Sequence, residues 1–183
     1  MSTPGVSAAD GRPAEWPAQL HAVLQRAGVV QVTYVPDAGH ARLIELCRED
    51  PAMKAIVLTS EQEGVGVLAG AWLGGERGVL LMQSSGVGNC INVLSMIQTC
   101  GLPLLMIVTM RGEWGESNPW QVPMGQSAEQ CLRAQSVIVE RVIDPGRVAG
   151  TVEAAARIAF DSSRAVAVLI SQRVVGAKTF AEE

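Results

Sequence analysis

Apolar and polar residues alternate in blocks along this chain, and the blocks have two different periods. Short apolar runs at 29–35, 55–58, 78–82, 103–110, 136–142 and 165–171 have the length of strands. The run at 78–82 has no polar interruption, the pattern of a strand covered on both faces. Between the runs, apolar residues recur at three- and four-residue spacing. Leu20, Val23 and Leu24 predict a helix over 16–27 that Gly28 stops. Leu43, Ile44 and Cys47 predict another over 41–49. Further helices are predicted over 60–74, 89–99, 127–134 and 146–162, with Gly101 and Pro103 ending the second of these. Strands and helices alternate throughout. The expected fold is therefore α/β: a single three-layer α/β/α domain with a mainly parallel sheet and helices on both faces. Residues 1–15 are small, polar and proline-bearing and lack an apolar h-region, so a flexible N-terminal tail is expected there, with the domain occupying 16–183.

The stretch 60–92 concentrates the candidate chemistry. Ser60 followed by Glu63 is a capping-box pattern ahead of an apolar run, which makes Ser60 the N-cap and Glu61 the first helical residue. Glu63 then has a structural use, whereas Glu61 has none and lies on the side that carries Val65, Leu68 and Trp72. A carboxylate at the edge of an apolar site can share a proton near neutral pH; a first-turn acid favoured by the helix dipole is the plain alternative. Gly64, Gly66 and Gly70 each cost a helix about 1 kcal/mol relative to alanine, so something is expected to approach the backbone closely. The stretch closes on a polar, glycine-bearing turn, Gln83-Ser84-Ser85-Gly86-Val87-Gly88-Asn89.

In parallel sheets, ligands sit beyond the carboxyl ends of the strands. The loops 36–40, 59–61, 83–89 and 111–124 all follow apolar runs. They are expected to carry Asp37, His40, Glu61, Gln83, Ser84, Asn89 and Arg111 to one rim. Each has a bland reading beside the functional one. Arg111 is an anion clamp or a partner of Glu113 or Glu116; His40 is a substrate-side acid/base or a loop histidine; Asp37 faces substrate or caps a helix. Gly86-x-Gly88 follows a strand as a dinucleotide fingerprint does, but the third glycine and the acidic partner are missing. Ser84 and Ser85 lack the context of a nucleophile elbow.

Composition narrows the classes. The formal net charge is −4 and no Lys/Arg cluster exists, so nucleic acid is not an expected partner. No apolar run reaches membrane-spanning length. With 48% apolar and 17% charged residues, the chain looks like a subunit that buries surface in an assembly. Cys47, Cys90, Cys100 and Cys131 form no paired motif and only two histidines are present, so reduced thiols, a cytoplasmic setting and no metal site of its own are expected.

Taken together, several of these stretches resemble one family. Glu61 with Gly64-Val65-Gly66 and Ala69-Gly70-Ala71-Trp72-Leu73, and Leu81-Met82 running into Gln83–Asn89, are similar to the pyrimidine-binding (PYR) domain of thiamine-diphosphate-dependent decarboxylases. Val35-Pro36-Asp37-Ala38 and Met110-Arg111-Gly112-Glu113 resemble further pieces of it, and the likeness runs over about 18–180. It is strongest to the sulfopyruvate decarboxylase alpha and phosphonopyruvate decarboxylase branch.

The resemblance implies a flavodoxin-like PYR domain in which Glu61 hydrogen-bonds the cofactor's aminopyrimidine ring, with Glu63 or Gln62 as fallbacks in register. It implies further cofactor contacts from Gln83, Ser84, Ser85, Gly86 and Asn89. Asp37, His40, Gln83 and Arg111 would face a 2-oxo acid substrate, Arg111 toward its sulfonate or phosphonate. These enzymes also need a Gly-Asp-Gly and an Asn-Asn to hold the diphosphate and Mg²⁺, and this chain has neither. A separate beta-type subunit carrying both in a hetero-oligomer is therefore implied. Ala38-Gly39-His40 and the bulky loop holding Trp114 and Trp120 depart from the family pattern, so other 2-oxo acids stay open. Two other classes stay open as well: a non-catalytic scaffold subunit and a stand-alone nucleotide-binding module.

Overall fold

Six strands form one sheet in the computed structural model, which describes residues 15–176. The expected tail lies outside the described residues except for Glu15, and so does the chain beyond Gly176. The strands are β1 (Val29–Tyr34), β2 (Lys54–Val57), β3 (Arg77–Gln83), β4 (Leu104–Thr109), β5 (Ile138–Val142) and β6 (Ala165–Ile170). Their order is β2-β1-β3-β4-β6-β5, and every pairing is parallel. The helices are α1 (Trp16–Arg26), α2 (Ala41–Glu49), α3 (Glu61–Leu73), α4 (Ser84–Cys90), α5 (Leu94–Cys100), α6 (Val122–Ala134), α7 (Val148–Ser162) and α8 (Gln172–Val175).

The apolar runs explain the layers. A strand sends successive side chains to opposite faces. In β3, Val79 and Leu81 join one core with α1, α2 and α7, while Leu80 and Met82 join a second core with α3 to α6. In the same way β6 sends Val166, Val168 and Ile170 to the first core and Ala165, Ala167 and Leu169 to the second. Each position of β4 and β6 is buried, as a continuous apolar strand in a doubly covered sheet requires. Among the described residues no helix is long and apolar enough to cross a membrane.

Three segments differ from expectation. The turn expected at 83–89 is helical: α4 starts at Ser84, directly on the end of β3, and the helix expected over 89–99 begins again at Leu94. Gly86 and Gly88 are there for clearance and not for turning. A Cβ on Gly86 would stand 2.5 Å from atoms of the Glu61 side chain, and one on Gly88 would stand 3.2 Å from the Met124 sulfur. With these residues in a helix there is no glycine loop to cradle a phosphate. Secondly, α6 starts five residues earlier than expected, at Val122. Pro123 sits in its first turn, where no N–H is needed. Gly125 lets the helix press on the Arg111 carbonyl. Thirdly, α8 was not expected; the Ser171 hydroxyl caps it by accepting from Arg173 N at 3.3 Å.

Candidate active site

The rim at the carboxyl ends of the strands holds three polar clusters. The first lies where α3 starts after β2. Ser60 is extended (φ −149°, ψ 149°) and ends the strand connection, but its hydroxyl makes no cap bond. Glu63 instead accepts from Thr59 N at 2.9 Å, one residue outside the expected box. Gln62 and Glu63 are exposed, whereas Glu61 is only 7% exposed. The Glu61 side chain lies where a Cβ on Gly86 would stand, and Asn89 Nδ2 donates to its Oε2 at 2.7 Å. Among the described residues this is its one hydrogen bond. Cys90, in the same helix, is buried, and burial first and the Glu61 charge second push its thiol up to about 12, so it is no nucleophile. Ser85 is half-buried on α4.

The second cluster joins the ends of β1, β3 and β4. Asp37 accepts from Thr109 Oγ1 at 2.6 Å through Oδ2 and from Gln83 Nε2 at 3.3 Å through Oδ1. The donor of the Gln83 amide is thus spent on Asp37, which leaves its Oε1 buried without a partner. His40 is 1% exposed, with Nε2 bonded to the Ile107 carbonyl at 3.1 Å and Nδ1 unpartnered. Burial holds its pKa below the ordinary 6.5, against the opposing pull of Asp37 and the carbonyls of Ile107 and Met82. The ring is therefore a neutral wedge at the N-cap of α2. It lies in the turn that opens α2, but it is buried and not an exposed loop histidine.

The third cluster organises the loop after β4. Arg111 is 7% exposed and grips Glu116 with two bonds, Nε to Oε2 at 2.6 Å and Nη2 to Oε1 at 2.7 Å. Glu116 also accepts from Gly112 N at 3.2 Å, Asn118 N at 3.0 Å and Gln172 Nε2 at 3.0 Å. The Arg111 guanidinium, helped by those donors, holds the Glu116 carboxyl down at about 2. Gln172 Oε1 accepts from Glu113 N and Trp114 N at 3.2 and 3.1 Å. The Arg111 N–H donates to the fully buried Ser84 hydroxyl at 3.1 Å. So the guanidinium expected to clamp a substrate anion is neutralised within the chain, and Ser84, expected beside a cofactor, is a buried pin.

A hollow of about 380 Å³ between α6 and β5 is equally self-paired. Arg133 and Arg141 both meet Glu129, and Arg141 also meets Glu113. Glu61, like Asp37, has no cation against it among the described residues, whereas Glu113, Glu116 and Glu129 are each paired to an arginine.

Sequence reasoning missed Thr109 and Gln172, whereas it did offer Glu116 as one of two alternative partners for Arg111. Thr109 and Gln172 had a signal: each is a polar residue at or just beyond the end of a fully apolar strand, where the rim begins.

Residues 17–137 match the family described as thiamine pyrophosphate enzyme, N-terminal TPP binding domain. The chain is 35% identical over 152 residues to sulfopyruvate decarboxylase subunit alpha of Methanothermobacter thermautotrophicus, covering 82% of this chain and 92% of that one. It is 33% identical to the subunit of the same name in Methanococcus maripaludis, covering 78% and 86%. Phosphonopyruvate decarboxylase of Streptomyces viridochromogenes is 40% identical over 102 residues, but this chain spans only 26% of its length. Among solved structures, a 2-oxoglutarate:ferredoxin oxidoreductase from Magnetococcus marinus shares the fold. The TM-score is 0.72 at 14% identity, over 88% of this chain and 29% of that one.

Proposed function

The chain belongs to the thiamine pyrophosphate enzyme N-terminal TPP binding domain family, and on that footing we propose that it is the aminopyrimidine-binding subunit of a split decarboxylase acting on sulfopyruvate. The observation that carries this reading is the buried carboxylate of Glu61, met by one neutral donor and floored by a glycine. Such a group suits a heteroaromatic nitrogen: it is shielded from water, holds a flat face open and has no internal counter-charge. The donor set of the rim therefore fits the ring of thiamine diphosphate. When bound, that cofactor supplies the electron sink for loss of CO2 from a 2-oxo acid.

The chain's own residues have distinct tasks. Glu61 holds the ring and shares a proton at its free carboxylate edge. Gly86 provides the flat contact and Ser85 stands beside it on α4. Gln83 is a neutral group at the rim, held in place by the bond from its amide to Asp37. Asp37 and Gln83 face the 2-oxo acid. His40, Ser84 and Arg111 support the rim from beneath. The diphosphate and Mg²⁺ fall to a separate beta-type chain, in keeping with relatives named as alpha subunits. The four cysteines are free thiols, which suits a cytoplasmic hetero-oligomer. Phosphonopyruvate is the second substrate to test, because the Streptomyces relatives match as well.

The test combines this chain with a diphosphate-binding chain captured by pull-down on it, thiamine diphosphate and Mg²⁺. CO2 and aldehyde release are then measured from sulfopyruvate and from phosphonopyruvate. Glu61→Gln is expected to lower turnover by about a hundredfold or more. Wild-type turnover in that variant, or full activity of the partner alone, overturns the reading.

A further inference from the structure

Resting on that reading, we propose that Asn89 is a positioning residue that acts on the Glu61 carboxylate and not on the cofactor. Three observations lead there. Its Nδ2 donates to Glu61 Oε2 at 2.7 Å, and no second donor to that carboxylate is found among the described residues. The Glu61 side chain is packed closely on Gly86, where a Cβ would stand 2.5 Å from its Cγ, Cδ and Oε1. Asn89 itself is exposed and its amide joins no other bond among the described residues, so the core does not need it.

The physics follows from the side chain of glutamate. Three rotatable bonds leave a free carboxylate several orientations, and a site that must meet a ring nitrogen needs one. A donor on Oε2 and the close approach of Gly86 to the side chain select it. The donor is a neutral amide, so it orients the group without adding a counter-charge. An arginine at that place would make a second pair like Arg111–Glu116 and spend the carboxylate on it. Asparagine also reaches from one turn beyond Gly86, so the clamp and the floor belong to the same short helix. Any shift of α4 moves both together.

The experiment is a double-mutant cycle in the assembled complex with its partner chain. Turnover, KM for the 2-oxo acid, thiamine diphosphate affinity by calorimetry and melting temperature are measured for wild type, Asn89→Ala, Glu61→Gln and the double variant. Asn89→Ala is expected to lower kcat about ten- to hundredfold and to weaken cofactor binding several-fold. The KM for the 2-oxo acid and the melting temperature stay close to wild type. In the Glu61→Gln background, Asn89→Ala is expected to change kcat and cofactor affinity by less than about twofold, because its effect runs through the missing carboxylate. Asn89→Asp, which faces one carboxylate with another, is expected to be worse than Asn89→Ala. Independent, multiplicative effects of the two substitutions would show that Asn89 acts elsewhere and overturn the proposal. If Asn89→Ala keeps full activity while Glu61→Gln loses it, the positioning role alone falls. If Glu61→Gln also keeps full activity, the assignment of the site falls with it.

Discussion

Glu61 and Glu116 are both carboxylates sunk into the same rim, and the protein treats them in opposite ways. Glu116 is saturated: a bidentate arginine, two backbone N–H groups and a glutamine side chain point at it. Glu61 has one neutral donor, and the absence of a side chain at Gly86 leaves the space that its carboxylate occupies. The difference teaches how to tell a fastener from a working group. A buried charge is expensive unless its lone pairs are met, so an acid met on all sides is there to hold the fold. An acid buried with its bonding capacity largely unspent keeps that capacity for a ligand.

The largest effect should come from breaking the fastener. Arg111→Ala leaves Glu116 charged and buried, a loss of about 3–5 kcal/mol, or roughly 10 °C in melting temperature for a chain of this length. Thermal denaturation checks it. A small thermal shift with a large rise in substrate KM would instead return Arg111 to the role of anion clamp. The wild-type pair has its own acid signature. The Glu116 carboxyl is lowered from 4.5 to about 2, so its stabilisation is complete above pH 4.5 and drains away as pH falls toward 2.

Next is the opposite side of the comparison. Gly86→Ala drives a methyl group into Glu61, so turnover of the complex should fall by about a hundredfold, close to 2.7 kcal/mol of barrier. Normal turnover would mean that the carboxylate need not lie where it does. Ser84→Ala should cost about 1–3 kcal/mol in urea unfolding by orphaning the Arg111 N–H, with the KM for cofactor unchanged. A rise in that KM would move Ser84 from pin to contact. The smallest effect belongs to His40. Burial lowers its folded pKa below 6.5, so the unfolded chain takes up the proton first and stability drops as pH falls below 6.5. His40→Gln should flatten the urea midpoint between pH 7.5 and 5.5; an unchanged slope would exclude His40 as its source.

Much of this was legible before any coordinates. The unbroken apolar runs of β4 and β6 state that both faces are covered, and they are. The helix start at Ser60 separated Glu61 from Glu63, and burial separates them likewise, although Glu63 caps Thr59 and not Ser60. Gly86 and Gly88 were not legible. The same two letters serve a turn and a close approach, and only the partner lying across the backbone distinguishes them. The fate of Arg111 was equally hidden. Glu113 and Glu116 both follow Arg111 closely, and the choice between them goes with remote partners: Arg141 takes Glu113, and Gln172, 56 residues away, joins Arg111 on Glu116.

That remote glutamine has a consequence for the order in which the molecule is completed. Gln172 comes after the last strand, so during synthesis the segment 111–118 leaves the ribosome long before its fastening does. The central strands can pair and bury their side chains while this segment is held by its own bonds to Glu116 and by Ser84. Its last ties form when β6 slots between β4 and β5 and brings Gln172 within reach. The loop beside the working edge is thus finished last, and a nascent chain cut short before residue 172 would own a sheet with a partly fastened lip.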